Sequence, residues 1–285
     1  MDDAMNGGNF KHYNTEPPKS KYIMPLFSLK GKTAIISGAG QGIGLAVARG
    51  YAEAGANVAI WFHSNKNAYQ RAEEIEKEFG VKCRAYQVDV RDAAAIDEAI
   101  VSQVKEFNGR LDIFVANAGI PWTQGPMLGG ELEHYRNVMK IDVDGVFYCA
   151  RTAGRIWREQ KKNKLEAFTY GKFIATASMS GHIANIPQLQ TAYNAAKANV
   201  KHMCQSLAIE WVQFARANSI SPGYIATEIS NFVPPETKSI WRDKIPMGRE
   251  GEPIELVGAY LYLASDASSY TTGSDILIDG GYCAP

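Results

Sequence analysis

The chain has 285 residues, 46% of them hydrophobic and 11% aromatic, so it can bury a full core as one large α/β domain or two small ones. Thirty basic and thirty acidic residues give a formal net charge of zero, which argues against a nucleic-acid-binding protein. Four scattered cysteines show neither metal-ligand nor disulfide-scaffold spacing, which predicts a reducing compartment and no metal site.

Residues 1–26 are predicted to form a flexible N-terminal arm before a single domain over 27–285. The arm is polar and has neither the apolar run of a secretory signal nor the Arg-rich pattern of a mitochondrial presequence. No later run of about 18 apolar residues is present, so no membrane association is expected. The C-terminal residues are not a peroxisomal signal. We therefore expect a cytoplasmic protein.

From Leu29 onward, short apolar runs alternate with stretches of helical length. The runs predicted as strands are 33–37, 58–62, 84–88, 112–116, 172–178, 217–221 and 275–279. Residues 67–79 are predicted as a helix that ends at Gly80. Alternating strands and helices indicate right-handed βαβ units. The predicted fold class is α/β, with a single Rossmann-type, doubly wound parallel sheet covered by helices on both faces.

A glycine-rich sequence, SGAGQGIG at 37–44, follows the first predicted strand and precedes a helix. Gly38, Gly42 and Gly44 would allow a tight turn, close approach of the backbone to a phosphate, and close packing of the helix. The positive N-terminus of that helix suits a pyrophosphate. This position between strand and helix predicts dinucleotide binding.

Tyr193 and Lys197 are four residues apart in AYNAAK, 192–197, a stretch with good helical propensity. Positions i and i+4 share one face of a helix. By itself the spacing indicates no more than a surface pair worth a few tenths of a kcal/mol. The rest of the chain must decide between a surface pair and a catalytic pair.

In that wider context the chain resembles a classical short-chain dehydrogenase/reductase over residues 27–285. The motifs that carry the resemblance occur in the family's order, which makes chance agreement implausible. They are SGAGQGIG at 37–44, VDV at 88–90, ANAG at 116–119, Ser178, Tyr193-x-x-x-Lys197, PGYIAT at 222–227 and TGSDILIDGG at 272–281. Within the family the chain looks most like fungal sorbose reductases, NADP-dependent mannitol dehydrogenases and stereoselective yeast carbonyl reductases.

The resemblance implies hydride transfer between nicotinamide and a carbonyl carbon, with Tyr193 giving the proton to the carbonyl oxygen. Lys197 would stabilise the phenolate and bind the nicotinamide ribose, and Ser178 would hold the substrate oxygen. The family's Ser-x-x-Gly pattern selects Ser178, which stands three residues before Gly181. Ser180 also precedes that glycine and stays an alternative.

Asp142 departs from the family pattern. Many members carry an asparagine three residues before a glycine, here Gly145, and that asparagine holds a water for proton relay. A carboxylate could hold the same water, so Asp142 is a candidate catalytic residue. The alternative is an ordinary helix acid with a local partner.

The end of the second predicted strand favours NADP(H) over NAD. An acidic residue there would accept hydrogen bonds from the adenosine ribose and repel a 2′-phosphate. The position is Phe62, followed by HSNK at 63–66, whose polar and cationic groups suit a phosphate. No arginine stands in this segment, and Gln41 occupies a position where a basic residue sometimes helps.

The resemblance extends the cofactor site over several segments. Asp89 matches an adenine-contacting acid, while Thr227 and the Ile225 backbone match contacts to the carboxamide. Asn117 is expected to brace the sheet beside the cofactor. The full predicted set is Gly38, Gln41, Gly42, Ile43, Gly44, His63, Ser64, Asn65, Asp89, Val90, Asn117, Ala118, Gly119, Tyr193, Lys197, Pro222, Gly223, Ile225 and Thr227.

The resemblance implies reduction of a ketose such as sorbose or fructose, or of a small prochiral ketone. Beside Ser178 and Tyr193, the candidates for a polar substrate pocket are Trp122, Gln124, His182, Asn185 and Gln188, each with packing or a loop role as the alternative. A homotetramer is implied through the helices around 131–160 and 190–214 and the C-terminal strand.

Two other classes of function stay open. A noncatalytic NADP-binding regulator would have little reason to keep Ser178, Tyr193 and Lys197 together. A sugar-nucleotide epimerase shares the Tyr-x-x-x-Lys pattern, but it usually has a longer substrate domain than the residues after Gly223 allow.

Overall fold

A seven-stranded parallel sheet forms the centre of the protein in the computed structural model, which describes residues 5, 6, 8–12, 16–231 and 233–284. The strand order is β5-β4-β3-β6-β7-β8-β9, and every neighbouring pair is parallel. The strands of this sheet are β3 (Thr33–Ile36), β4 (Asn57–Phe62), β5 (Cys83–Gln87), β6 (Ile113–Ala116), β7 (Gly171–Thr176), β8 (Ala215–Pro222) and β9 (Asp275–Ile278).

Helices cover both faces of the sheet. They are α1 (Ile23–Leu26), α2 (Gly42–Glu53), α3 (Ala68–Phe79), α4 (Ala93–Glu106), α5 (Leu132–Met139), α6 (Gly145–Lys162), α7 (Thr191–Glu210), α8 (Pro235–Lys244) and α9 (Pro253–Ala264). A π-helical turn, Lys140–Asp144, joins α5 to α6 without a break. The predicted α/β fold is confirmed, and α3 ends at Gly80 as expected.

Each face of the sheet buries its own apolar core. On one face Phe114 and Phe173 pack with two tryptophans. Trp157 lies on α6, and Trp211 directly follows α7. The other face is covered by side chains of α2, α3 and α9, Tyr260 among them. Strands buried on both faces explain why the sequence shows continuous apolar runs in place of strict alternation.

The order of the strands places a crevice at the carboxyl edge of the sheet. From β3 the chain moves outward to β4 and β5, and it then returns to β6 on the other side of β3. The connections after β3 and β6 therefore lead to opposite faces of the sheet. The crevice that this leaves at the carboxyl ends of β3 and β6 is the usual ligand-binding site of such sheets.

The arm preceding the sheet is described in part, because residues 1–4, 7 and 13–15 lie outside the described residues. Two short strands, β1 (Met5–Asn6) and β2 (Asn9–Phe10), pair antiparallel, and α1 follows. The flexibility of this arm and the division into an arm and one domain stay predictions. Within the described part of the chain, no helix has the length and apolarity that a membrane span needs.

Candidate active site

A cleft of about 510 Å³ opens at the carboxyl edge of the sheet and brings together most of the predicted site residues. One end lies over the turns that follow β3, β4 and β6, and the other over those that follow β7 and β8. The predicted residues that line it are Gly38, Gln41, Gly42, Ile43, His63, Ser64, Asn65, Asn117, Ala118, Gly119, Ser178, Gln188, Tyr193, Lys197, Pro222, Gly223, Ile225 and Thr227.

The glycine-rich turn has the shape that a bound diphosphate needs. Gly38 has φ +63°, and a Cβ there would come within 2.8 Å of the Ala118 Cα, so only glycine fits. α2 begins at Gly42, and no side-chain hydrogen bond from the N-cap residue Gln41 satisfies its first amides. Free amides at the positive end of a helix are a ready anion site. The residues present therefore fit a dinucleotide.

Gly44 lies beneath this turn and outside the cleft lining. A Cβ on Gly44 would come within 2.6 Å of both the Asn117 Nδ2 and the Gly38 carbonyl oxygen. Asn117 Nδ2 in turn donates to the carbonyl oxygens of Ser37 and Gly38 at 3.1 and 3.2 Å. Gly44 and Asn117 thus support the turn, as the sequence predicts for Asn117.

The strand end that governs cofactor choice contains no carboxylate. Phe62, the last residue of β4, is 3% exposed and packs edge-on against Tyr69. Ser64 and Asn65 follow it in the cleft, and Asn65 Nδ2 donates to Gln41 Oε1 at 2.6 Å. Hydroxyl and amide groups therefore face the cleft where an acid would repel a 2′-phosphate.

Two arginines lie near this strand end, although the sequence segment itself has none. Arg71, on α3, donates to the Gly40 carbonyl oxygen beside the glycine turn. Arg91 pairs with Asp89 at 2.7 Å and lies 3.4 Å from His63 Nε2. The Arg91 guanidinium holds the pKa of the Asp89 carboxyl below its usual value. Asp89 and Val90 are not part of the cleft lining, and the charge of Asp89 is offset by this pair.

Arg91 had a sequence signal that was missed, because it directly follows the VDV motif at 88–90. Arg71 had none, since nothing in the spacing of α3 shows that its side chain folds back toward the glycine turn.

Helix α7 positions the tyrosine and lysine of the motif. Its buried side chains recur every three or four residues, which turns one face to the core, and they include Ala192, Ala196, Val200, Cys204 and Leu207. Tyr193 and Lys197 lie at the N-terminal end of this face, with the ammonium 5.4 Å from the phenol ring centre. Both line the cleft. The pair is therefore no surface pair.

The Lys197 ammonium has two close partners. Its Nζ donates to the Thr176 carbonyl oxygen at 3.1 Å and lies 3.0 Å from Asp142 Oδ2. Burial acts to lower the pKa of Lys197, but the charges of Asp142 and Tyr193 outweigh it and hold that pKa above its usual value. A permanently charged ammonium thus lies behind the phenol.

Asp142 is fully buried within the π-helical turn 140–144. Its Oδ1 accepts a hydrogen bond from the Ile120 amide at 2.8 Å, and its Oδ2 lies 3.0 Å from the Lys197 ammonium. Gly119 makes room for this pair, because a Cβ there would lie 2.8 Å from Asp142 Oδ2. Asp142 stands behind the cleft and not in its lining.

Ser178 and Ser180 have different surroundings. The Ser178 hydroxyl acts on Tyr193 and lowers the pKa of the phenol, and its Oγ accepts a hydrogen bond from the Ser180 amide at 3.1 Å. The Ser180 side chain instead pairs with Gln190. This geometry favours Ser178 as the partner of the tyrosine.

Burial raises the pKa of Tyr193 above its usual value, and the Asp142 charge adds to the rise. The Lys197 charge and the Ser178 hydroxyl act in the opposite direction and lower this pKa. The phenol is therefore a neutral proton donor at neutral pH, which suits reduction of a carbonyl. The positive charge of an oxidised nicotinamide would favour the phenolate needed for the reverse reaction.

Two residues predicted for the substrate pocket lie outside the cleft lining. Trp122 is 4% exposed in a small apolar cluster, and its Nε1 donates to the Gly125 carbonyl oxygen at 2.7 Å. His182 Nε2 lies 2.8 Å from Asp275 Oδ2, and Lys201 approaches its other ring nitrogen at 3.3 Å. Trp122 thus packs beneath a loop, and His182 ties the loop after β7 to the last strand.

Of the other three pocket candidates, one lines the cleft and two do not. Gln188 lines the cleft. Gln124 accepts from the Glu131 amide and is outside the lining. Asn185 is buried one layer behind the lining and bonds to Gln190 and Tyr224.

The glycine-rich turn lines one part of the cleft, and Ser178, Tyr193 and Lys197 line another. This arrangement suits hydride transfer between a bound dinucleotide and a carbonyl group. Fold and cleft together define a nicotinamide-dependent oxidoreductase.

Comparisons with known proteins agree with this class. Residues 38–283 match the family model described as enoyl-(acyl carrier protein) reductase. The chain is 62% identical to the L-xylulose reductase of Hypocrea jecorina over 99% of this chain and 100% of that protein. It is 55% identical to a probable NADP-dependent mannitol dehydrogenase of Yarrowia lipolytica over 94% of each. The crystal structure of the NADPH-dependent 3-quinuclidinone reductase from Rhodotorula rubra superposes with a TM-score of 0.88 at 41% identity, covering 95% of this chain and 98% of that one.

The chain belongs to the short-chain dehydrogenase/reductase family. The predicted family and the predicted activity as an oxidoreductase of carbonyl and alcohol groups are confirmed. The predicted resemblance to fungal ketose and polyol reductases is confirmed as well.

Proposed function

We propose that this protein reduces a ketose to the corresponding polyol with NADPH, and that Tyr193 donates the proton. The observation that carries the proposal is that Ser178, Tyr193 and Lys197 line the same cleft, with the Lys197 ammonium 5.4 Å from the centre of the phenol ring. The high identity to a protein named for xylulose reduction supports a ketose as the substrate class.

The side chains of the cleft divide the work on the substrate's carbonyl. The bound cofactor supplies the hydride to the carbonyl carbon. Ser178 and Tyr193 both point hydrogen-bond donors at the carbonyl oxygen, where negative charge develops. Tyr193 then transfers its proton to that oxygen. Lys197 stabilises the resulting phenolate until a proton returns, and Asp142 keeps the ammonium charged and in place.

For the cofactor we propose NADP(H). Gly38, Gly42 and the first amides of α2 would hold the diphosphate, and Ser64 and Asn65 would hold the 2′-phosphate. Support comes from the absence of a carboxylate at Phe62 and from the two nearby arginines. Two of the relatives' names also specify NADP or NADPH.

Ser64→Asp tests this cofactor choice with less risk to the fold than Phe62→Asp, because Ser64 is exposed while Phe62 is buried. A carboxylate beside the 2′-phosphate should weaken NADPH binding about tenfold or more and NADH binding much less, and the difference should grow at low salt. Dissociation constants from nucleotide fluorescence give the answer. Ser102→Asp adds the same charge on an exposed face of α4 and should change neither constant.

Equal weakening of NADPH and NADH by Ser64→Asp would contradict the assignment of this loop to the 2′-phosphate. Phe62→Asp should show the same preference against NADPH if the variant folds.

The substrate class is tested by following NADPH absorbance with L-xylulose, sorbose, fructose and a set of aryl and cyclic ketones. We expect the highest kcat/KM for a ketose. A second candidate is the stereoselective reduction of non-sugar ketones, which the stacked Tyr224 and Trp241 rings in the cleft favour. If every ketose is inert while bulky ketones react, the second candidate replaces the first.

We also propose a homotetramer in the cytoplasm. Phe147 on α6 is 50% exposed beside a depression of about 250 Å³ between α6 and the end of α7. A half-exposed aromatic ring beside such a depression supports an interface with a second chain at this place. A monomer mass in solution scattering at micromolar concentration would contradict the tetramer.

A further inference from the structure

A chain of buried polar side chains in and just behind the wall of the cleft takes no part in the proposed proton transfer. Gln190 Nε2 donates to Ser180 Oγ and to Asn185 Oδ1, each at 2.9 Å. Asn185 Nδ2 in turn contacts the Tyr224 hydroxyl at 3.4 Å. Ser180, Gln190 and Asn185 are all at least nine-tenths buried. Because a buried polar group must be hydrogen-bonded, such a chain fixes the orientation of each member.

The Ser180 hydroxyl keeps an unused donor. A serine hydroxyl carries one proton and two acceptor positions. The Gln190 amide occupies one acceptor position, and no group in the described part of the chain accepts the Ser180 proton. Ser180 also lines the cleft. Ser180 is therefore a residue of the cleft wall whose hydroxyl oxygen is held by Gln190 and whose hydroxyl proton has no acceptor among the described residues.

A second, independent donor lies on α8. Trp241 is 2% exposed, lines the same cleft and stacks on Tyr224 with ring centres 3.9 Å apart. Its indole Nε1 has no acceptor among the residues that the structure describes. An unpaired buried donor is unfavourable, so a ligand that brings an oxygen acceptor would remove this cost. Two unused donors thus indicate a ligand with hydroxyl groups.

We infer that Ser180, oriented by Gln190, binds the hydroxyl on the carbon next to the reacting carbonyl, so that the enzyme selects α-hydroxy ketones over plain ketones. The Ser180 amide donates to Ser178 Oγ at 3.1 Å, which places residue 180 next to the group that holds the carbonyl oxygen. Trp241 donates to a hydroxyl further along the substrate. The inference rests on the proposed reduction of ketoses, since every ketose carries such an α-hydroxyl.

Hydroxyacetone and 2-butanone form the test pair, because they differ only by a hydroxyl in place of a methyl group. The measured quantity is the ratio of kcat/KM for hydroxyacetone to that for 2-butanone. Ser180→Ala should lower this ratio about tenfold or more, because it removes the donor. Gln190→Met keeps the hydroxyl but frees its rotation, and should lower the ratio about threefold. An unchanged ratio in Ser180→Ala would overturn the inference.

Ser206→Ala is the matched control, since this serine lies on the exposed face of α7 and should leave the ratio unchanged. NADPH dissociation constants and melting temperatures identify any variant that has not folded. If Ser180→Ala fails to fold, the ratio in Gln190→Met decides, and no change there would overturn the inference. Failure of the proposed function would look different: the wild type would reduce hydroxyacetone but no ketose, while the ratios would still test Ser180.

Discussion

A buried aspartate is paired with a cation at each of two places: at the amino ends of the parallel strands, here called the amino edge, and at their carboxyl ends, the carboxyl edge. The two pairs differ in the number of hydrogen bonds that the aspartate accepts. At the amino edge, Asp112 accepts from the Thr33 amide at 2.9 Å and from the Arg110 guanidinium at 2.8 and 2.6 Å. At the carboxyl edge, Asp142 accepts one bond from the Ile120 amide at 2.8 Å, and the Lys197 ammonium, 3.0 Å away, is the one partner of its second oxygen among the described residues.

This contrast separates structure from function. A buried carboxylate whose oxygens are all occupied contributes to a single folded arrangement and has nothing left to offer a ligand. A buried carboxylate with only two partners, one of them the ammonium of a cleft residue, is less firmly held, and such sparsely bonded buried charges are usually found at functional sites. We therefore expect changes at the amino edge to alter unfolding and changes at the carboxyl edge to alter turnover.

Asp112→Ala should have the largest effect. It leaves Arg110 with a 12% exposed side chain and no carboxylate, and it leaves the buried Thr33 amide without its acceptor. Breaking a buried pair in this way costs about 3–5 kcal/mol. Urea unfolding measures the loss, and turnover per folded molecule should stay close to wild type. A loss below about 1 kcal/mol would contradict the role given to Asp112.

Tyr193→Phe should lower turnover about a hundredfold or more, because the proton donor is lost while the ring remains. NADPH should still bind, and the free energy of unfolding should change little. Steady-state kinetics with the best ketose and nucleotide fluorescence provide the two measurements. Turnover above about a tenth of wild type would contradict the assignment of Tyr193 as the proton donor.

Lys172→Met should stabilise the protein at pH 7 by about 2 kcal/mol. Lys172 is buried on β7, 3.7 Å from Asp266, and burial lowers its pKa from 10.5 to about 8. Below pH 8 the folded wild type must bury a charged Lys172 ammonium. Between pH 8 and 10.5 Lys172 is neutral in the folded protein but still charged in the unfolded chain. The free energy of unfolding of the wild type, as far as Lys172 determines it, therefore rises with pH between pH 8 and 10.5.

Urea unfolding of wild type and Lys172→Met at pH 7 and pH 10 tests this sign. The advantage of the variant should shrink at pH 10, because the wild-type lysine is then neutral in the folded protein. An advantage that grows with pH would contradict the lowered pKa.

Asp142→Asn should have the smallest effect, less than about tenfold on turnover near pH 7. An amide can still accept from Ile120 and hold a relay water, whereas Asp142→Ala loses both and should cost about 1–3 kcal/mol more. Removing the negative charge should also lower the pKa of Tyr193, which the carboxylate now raises. The pH profile of alcohol oxidation should then shift to lower pH. Equal turnover and equal profiles in all three proteins would leave Asp142 without a catalytic role.

Local sequence patterns predicted the parts of the site that depend on a single element. The glycine turn at 37–44 lies between one strand and one helix, and the spacing of Tyr193 and Lys197 is set by one helix. Phe62 was placed correctly because β4 ends where its apolar run ends. The chemistry of these groups follows from residue type and local spacing alone.

Contacts made across the fold were not predictable in this way. Arg71 reaches the glycine turn from α3. Gln190 reaches Ser180 from the loop before α7, where the sequence has no helical or strand periodicity. Trp122 and His182 have side chains that suit a polar pocket as well as they suit packing, so their type could not show which role the fold gives them. Tertiary geometry decided in each case.

The π-helical turn at 140–144 also constrains the number of residues in the chain. A π-turn holds one residue more than an α-helical turn, and one residue rotates a helix by about 100°. Val138 before the turn and Val146 after it are both buried. Deleting one residue between them would restore a plain α-helix and turn one of the two valines, together with Asp142, away from its present neighbours. An insertion or deletion here thus differs from any substitution: it would rotate α6 relative to α5, while the other side chains of both helices stay chemically unchanged.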